Sequence, residues 1–108
     1  MKQILISEDA LNDLNEGFTF YEAQDHGLGD YFSACLKADI EGLKITGGIH
    51  RELQGFHRLL SRVFPHGIFY SVEANEVTIW AVIDLRRDPE WISRKLRHAD
   101  TTTEGNAD

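Results

Sequence analysis

The stretch that decides the fold is residues 56–89, FHRLLSRVFPHGIFYSVEANEVTIWAVIDLRRDP. Two turn signals divide it, Pro65-His66-Gly67 and Ala74-Asn75. Pro, Gly and Asn favour turns. The residues between the turns are mostly β-branched or aromatic, which favours strands. The pattern therefore predicts three consecutive antiparallel strands that run into a helix.

The third of these strands is expected to be the central one, because its residues are apolar on both sides. Alternation along a strand places every second side chain on the same face. This alternation predicts that Val77, Ile79, Ala81 and Ile83 form one apolar face of the strand. Trp80 and Val82 are predicted to form the opposite face.

Residues 2–48 supply the elements that cover this sheet. Residues 2–6 predict a short strand, and Ser7 followed by two acids predicts the cap of a helix over residues 8–24, with Asp13 facing water. Gly27-Leu28-Gly29 ends this helix, and a second runs from near Asp30 to Gly47-Gly48. Both helices carry an apolar stripe, so we expect an antiparallel helix hairpin packed on the sheet.

The remaining segments complete an α+β fold. Residues 49–53 fit either a lead-in to the sheet or a short edge strand. Asp88 as cap and Pro89 at the first helical position predict a closing helix whose apolar face contains Trp91. Residues 99–108 have no large apolar residue and predict a disordered polar tail after a single domain of residues 1–98. The predicted order is a short N-terminal strand, the helix hairpin, a three-stranded antiparallel meander and a C-terminal helix.

Composition limits the classes of protein to which the chain can belong. Its 108 residues suffice for one domain with a modest core. The one cysteine, Cys35, excludes an internal disulfide and fits a reducing compartment. There is no secretory leader and no apolar run near the roughly 20 residues that a membrane span needs, so we expect a cytoplasmic protein without a membrane segment.

Charge is unevenly distributed along the chain, whose net charge is −7. Residues 1–48 hold three lysines and nine acids, whereas residues 49–98 hold eight basic residues and six acids. An acidic helical half and a mildly basic sheet half predict that any anionic surface is contacted by the sheet and its closing helix. The alternative is that both halves are simply solvated.

The order of elements and three segments resemble the RelE/ParE superfamily of bacterial type II toxins, which includes plasmid stabilisation proteins. The segments are residues 11–32, LNDLNEGFTFYEAQDHGLGDYF, the FP turn followed by Tyr70, and the DLRRDP run. The resemblance spans residues 2–97. It implies a toxin that a small cognate antitoxin binds and neutralises, as a homodimer or a toxin–antitoxin hetero-oligomer. It implies no cofactor.

Two activities divide that superfamily. In the ParE-like branch the toxin inhibits DNA gyrase, and in the RelE-like branch it cuts mRNA on the ribosome with basic residues and often a C-terminal His-Tyr. Here Asp84 and Leu85 stand where His-Tyr is plausible, and no tyrosine follows Tyr70. We therefore predict a ParE-like gyrase inhibitor that is not a competent endonuclease. The alternatives are a RelE-like mRNA endonuclease and a degenerate, non-toxic family member.

Four arginines and a tryptophan are the candidate contacts for the antitoxin or the target. Arg58 and Arg62 lie four apart on one predicted strand, so they share a face as a phosphate or carboxylate clamp, or lie at a sheet edge paired with Glu52 or Glu73. Arg86 and Arg87 contact an anion, or form a solvated turn paired with Asp84 or Asp88. Trp91 becomes a contact if its ring is exposed.

Histidines supply the only groups of the meander that titrate near neutrality. In the endonuclease alternative, His57 is the general base and Arg58, Arg62 or Arg87 neutralises the phosphate. The sequence shows no partner that orients His57. His50, His57 and His66 lack the spacing and the cysteine partners of a metal site, so we expect no metal.

Overall fold

The structure is a computed structural model that describes the backbone of residues 1–106 and the side chains of residues 1–100. Within the described residues, four helices and five strands follow one another, which confirms the predicted α+β fold. They are β1 Gln3–Ile6, α1 Glu8–Gln24, α2 Leu28–Glu41, α3 Leu43–Thr46, β2 Glu52–Leu53, β3 Phe56–Leu60, β4 His66–Glu73, β5 Glu76–Asp84 and α4 Pro89–Asn106.

All five strands form one sheet in the order β1-β5-β4-β3-β2. β1 pairs with β5 in parallel, and the other neighbours are antiparallel. Of the two interpretations of residues 49–53, the edge strand is correct, since Glu52–Leu53 pairs with β3. The two-residue turn between β2 and β3 has positive φ at Gln54 and Gly55, the backbone that a tight hairpin requires.

Each face of the sheet is covered by its own core. On the hairpin face, α1, α2 and α3 bury Tyr21, Phe32, Leu36 and Leu43 against Tyr70 and its neighbours, and we call this the first core. On the opposite face, α4 buries Leu96 and Ala99 against Phe56, Phe69, Ala81 and Ile83, the second core. Burial of each large apolar side chain contributes about 1.5–3 kcal/mol. The prediction that β5 is covered on both sides is confirmed.

A β-bulge at Trp80 corrects the predicted faces of β5. Tyr70 pairs with Ile79 and Phe69 pairs with Ala81, so Trp80 is the extra residue between them. An extra residue breaks the two-residue alternation of a strand. Val77 and Ile79 therefore belong to the first core, whereas Ala81 and Ile83 belong to the second. The single face predicted from all four residues was wrong.

The two helices of the hairpin begin with different caps. Ser7 caps α1 as predicted, because its Oγ accepts a hydrogen bond from the Ala10 N–H at 3.1 Å. The second helix begins earlier than predicted, at Leu28 and not near Asp30. The Glu22 carboxylate accepts the N–H groups of Gly27 and Gly29, at 3.0 and 2.9 Å, and so satisfies donors that would otherwise be unpaired at this helix start.

Helix α4 continues further than the sequence predicted. It begins at Pro89 as expected but runs to Asn106, and Ala99 is only 4% exposed. Ile92, Leu96 and Ala99 recur at helical spacing, so the apolar stripe extends past position 98. Helix α4 therefore extends past the predicted boundary at residue 98, while the disordered tail over residues 99–108 stays a prediction, and residues 107–108 lie outside the described residues. No helix in the described part of the chain is long and apolar enough to cross a membrane.

Trp91 is half-buried beside the second core, not enclosed by it. The cost of Trp91→Ala is therefore expected to fall below the roughly 3–5 kcal/mol typical of a fully buried aromatic side chain.

Asp13 fastens α1 to both β5 and α4, which corrects the expectation that it faces water. Its Oδ2 accepts the Val82 N–H at 2.9 Å, and its Oδ1 accepts a hydrogen bond from Lys95 Nζ at 2.6 Å. Burial raises the pKa of this carboxyl, while the bonds from Lys95 and Val82 counteract that rise. A buried carboxylate needs such partners, so the three elements are held together by one side chain.

Lys95→Met is expected to lower the free energy of unfolding by about 2 kcal/mol at pH 7, because it leaves the Asp13 charge buried without a counter-ion. Chemical denaturation measures this cost. The deficit should shrink on acidification, since protonated Asp13 carries no charge, and Asp13→Asn should recover part of it. Arg94→Met on the same helix is the matched control, because the exposed Arg94–Glu90 pair at 3.9 Å contributes little. Equal losses in the two variants would contradict the role given to Asp13.

Candidate functional site

Arg58 and Arg62 do not share a strand face, so the predicted clamp is not formed. β3 ends at Leu60, and Arg62 lies exposed in the bend that leads to β4, where its N–H donates to Asp39 Oδ2 at 3.3 Å. Ser61 Oγ also donates to Asp39 Oδ2, at 2.9 Å, and the bend spans residues 62–65, so the turn lies before His66 and not at Pro65–Gly67. Neither arginine forms an ion pair with Glu52, Glu73 or any other residue within the described part of the chain.

The half-buried stem of Arg58 packs on the second face of the sheet. A Cβ placed on Gly67 would lie 3.4 Å from Arg58 Cγ and 3.1 Å from both Leu85 Cδ2 and Phe69 Cε1. Glycine at this position therefore leaves room for the arginine stem over apolar neighbours. This contact agrees with the alternative in which the arginine stem lies over apolar side chains.

Arg86 and Arg87 have different roles although they are adjacent. Arg86 binds the Asp84 carboxylate through three hydrogen bonds, from its backbone N–H at 2.9 Å, from Nε at 3.0 Å and from an Nη at 2.7 Å. This pair lowers the pKa of Asp84 and raises that of Arg86. The guanidinium of Arg87 instead lies 4.1 Å from the ring centre of Trp91. The solvated-turn interpretation thus fits Arg86, while Arg87 is available to an anion.

A cluster of His50, His57 and Tyr70 lies on the hairpin face of the sheet. The Tyr70 hydroxyl accepts the Gly48 N–H at 3.0 Å and makes a 2.5 Å hydrogen bond with His50 Nδ1. The His57 ring stacks on Tyr70 at 5.1 Å, and its Nδ1 donates to the His50 carbonyl at 2.7 Å. The sequence showed no orienting partner for His57, but in the structure the His50 carbonyl holds its ring.

Burial favours the neutral forms of His50 and Tyr70 in this cluster. Burial, and secondarily the neighbouring His57, lower the pKa of His50 below its ordinary value of 6.5. Burial also raises the pKa of the Tyr70 hydroxyl. Neutral His50 can accept the Tyr70 O–H at Nδ1 while Tyr70 accepts from Gly48. The cluster thus closes the loop of residues 47–51 onto the sheet.

His57 and Arg58 lie on opposite faces of the sheet, although they are neighbours in sequence. His57 stacks on Tyr70 of the first core, whereas Arg58 lies over Gly67 and Phe69 on the second face. Arg62 is in a bend and Arg87 precedes α4. The residues proposed for the endonuclease alternative are therefore not brought together into one site.

His66 is the third histidine of the meander and stays apart from the other two. It is 7% exposed and packs against the rings of Tyr21 and Phe32 at 6.0 and 5.0 Å. Burial lowers its pKa, although Asp84 acts in the opposite direction. Within the described part of the chain no three histidine, cysteine or acidic side chains are placed to hold a metal ion.

Among comparisons with known proteins, only the search of solved structures finds matches. No family model and no curated protein matches the chain. A chain in the solved structure described as "Chromosomal ParDE TA system from P. aeruginosa" superposes on it with a TM-score of 0.66. The match has 18% sequence identity and covers 76% of this chain and 94% of the other.

The two chains share one fold. This finding confirms the fold that the sequence resemblance to the RelE/ParE superfamily implied. At 18% identity the superposition carries no information on which side chains act.

Stability is expected to fall as the pH drops from 7.5 to 5.5, because both His50 and His66 have lowered pKa values in the folded state. Below pH 6.5 the unfolded chain then binds more protons than the folded chain, which favours unfolding. In His50→Asn the amide oxygen can accept the Tyr70 O–H but does not titrate. The melting temperature of this variant should therefore decrease less over the same range. An identical decrease would assign the pH dependence to other groups.

Proposed function

We propose that this chain is the toxin of a type II toxin–antitoxin system, that it inhibits DNA gyrase in the ParE-like manner, and that a cognate antitoxin neutralises it. The observation that carries the proposal is the fold shared with a chain from a ParDE toxin–antitoxin system. The resemblance of residues 2–97 to RelE/ParE toxins supports the same assignment.

Inhibition by binding is favoured over RNA cleavage because the candidate catalytic groups are dispersed. An endonuclease needs a proton acceptor and cations around a single phosphate. His57 and Arg58 lie on opposite faces, and arginine is a poor proton shuttle at neutral pH. Exposed arginines spread over the sheet half are better suited to contact a protein surface than to perform proton transfer.

One observation favours the RelE-like endonuclease as a second candidate. The His50 carbonyl holds Nδ1 of His57 at 2.7 Å, which fixes the tautomer and leaves Nε2 as an acceptor. Glu52 lies 3.9 Å from that Nε2. A base of this kind could act only if RNA and a separate cation reached the hairpin side of the sheet.

Induced expression of the chain is expected to stop growth, and purified protein to block DNA supercoiling by gyrase while a ribosome-bound message stays intact. Supercoiling on plasmid DNA and A-site cleavage of a defined message should be measured side by side. Site-specific cleavage that His57→Ala abolishes would establish the endonuclease instead. Unimpaired growth with neither effect would indicate a degenerate, non-toxic member.

Arg58, Arg62 and Arg87 are expected to bind acids of an antitoxin that folds onto this domain as a helix, a strand or both. Replacing all three by Ala should weaken antitoxin binding about tenfold or more, because several charge contacts are lost. Calorimetric titration measures the change. Arg51→Ala is the matched control, since Arg51 is exposed and outside the predicted contacts. Unchanged affinity of the triple variant would contradict these contacts.

A further inference from the structure

A cleft of about 320 Å³ opens between α1, the ends of β4 and β5, and the start of α4. Its apolar lining includes Phe20, Tyr21, Val82 and Trp91. Phe20 is 53% exposed at this site, although it is a large aromatic residue. Sites for small-molecule ligands span roughly 300–1,000 Å³, so this cleft is at the small end of that range. Its size suits one large side chain better than a cofactor.

The charges around the cleft leave one cation available. Two of its acids already have partners, because Asp13 binds Lys95 and Asp84 binds Arg86. Arg87 forms no ion pair with any described residue, and its guanidinium is held over Trp91. A guanidinium held in this way is preorganised for a carboxylate. Glu16 lines the α1 side of the cleft, where its negative charge repels a carboxylate of the occupant. Such a carboxylate is therefore favoured on the opposite side, next to Arg87.

His66 adds a polar requirement to the lining. It is 7% exposed, and its Nδ1 has no hydrogen-bond partner among the described residues. Burial lowers its pKa, so the neutral ring has one nitrogen that can accept a hydrogen bond. Buried polar atoms are usually paired in folded proteins. In the tautomer with the proton on Nε2, His66 Nδ1 is an acceptor, and an occupant whose N–H reaches this nitrogen would supply the missing donor.

We propose that this cleft is the anchor pocket for an acidic segment of the antitoxin, and that it takes a tryptophan side chain whose neighbouring carboxylate binds Arg87. The indole matches the size and the aromatic lining of the cleft and provides an N–H. Tryptophan and arginine are also enriched among the residues that dominate binding at protein interfaces. The inference rests on the proposed function, because that function supplies the partner.

Three short peptides test the pocket without the antitoxin. They are acetyl-Ala-Trp-Glu-Ala-amide, the same peptide with Lys in place of Glu, and the same peptide with Phe in place of Trp. NMR titration against the isotopically labelled full chain gives the affinity and the location of each. The Trp-Glu peptide should shift amide signals around the cleft and bind about fivefold or more tightly than the Trp-Lys peptide. The Phe-Glu peptide, which lacks the indole N–H, should bind more weakly than the Trp-Glu peptide.

Arg87→Ala should bring the Trp-Glu to Trp-Lys affinity ratio close to one, whereas the control Arg51→Ala, at an exposed arginine outside the predicted contacts, should leave the ratio unchanged. Circular dichroism verifies that both variants are folded. Signal shifts elsewhere on the chain, no binding, or a ratio that Arg87→Ala does not change would overturn the proposal. Growth and gyrase assays on the unmodified chain are independent of these titrations, so a failure of the pocket and a failure of the proposed toxin function can be told apart.

Discussion

The fold depends on the need to bury both faces of β5. This strand receives β1 on one side and β4 on the other, and it contributes to both cores. A strictly alternating strand would direct Ala81 and Ile83 to the same side as Ile79. The bulge at Trp80 redirects them, so that the hairpin and α4 each find an apolar surface. Beyond Ile79 the strand has no β1 partner, and the Asp13 carboxylate takes over by accepting the Val82 N–H.

The sequence predicted the elements better than it predicted how side chains meet. The bounds of α1 and the start of α4 follow from local signals, Ser7 with two acids and Asp88-Pro89, and both agree with the structure. The bulge at Trp80 has no local signal, because it results from pairing between β4 and β5. The end of β3 at Leu60 likewise depends on the contact of Ser61 and Arg62 with Asp39 in α2.

The contacts within the cluster of His50, His57 and Tyr70 also could not be predicted from local sequence alone. Gly55, between Leu53 and Phe56, was the available signal for a two-residue hairpin, since its φ of 86° is one that glycine tolerates. That hairpin is what brings the His50 carbonyl beside His57. The cluster also requires Tyr70 to lie on the face of the sheet that the helix hairpin covers. Which face Tyr70 occupies relative to His57 depends on the register between β3 and β4. Distant residues thus meet through pairing that no short motif encodes.

The parallel pairing of β1 with β5 has a consequence for biosynthesis. Gln3–Ile6 pairs with residues 76–79, so β1 stays unpaired during synthesis until β5 has been made. Closing so long a loop is entropically costly, and contacts of this kind slow folding. The five-stranded sheet can assemble only after β5 has been made, and the cleft beside α4 only later. A nascent chain should therefore acquire the surfaces proposed to bind the antitoxin late, so that a partner made in the meantime is present when they form.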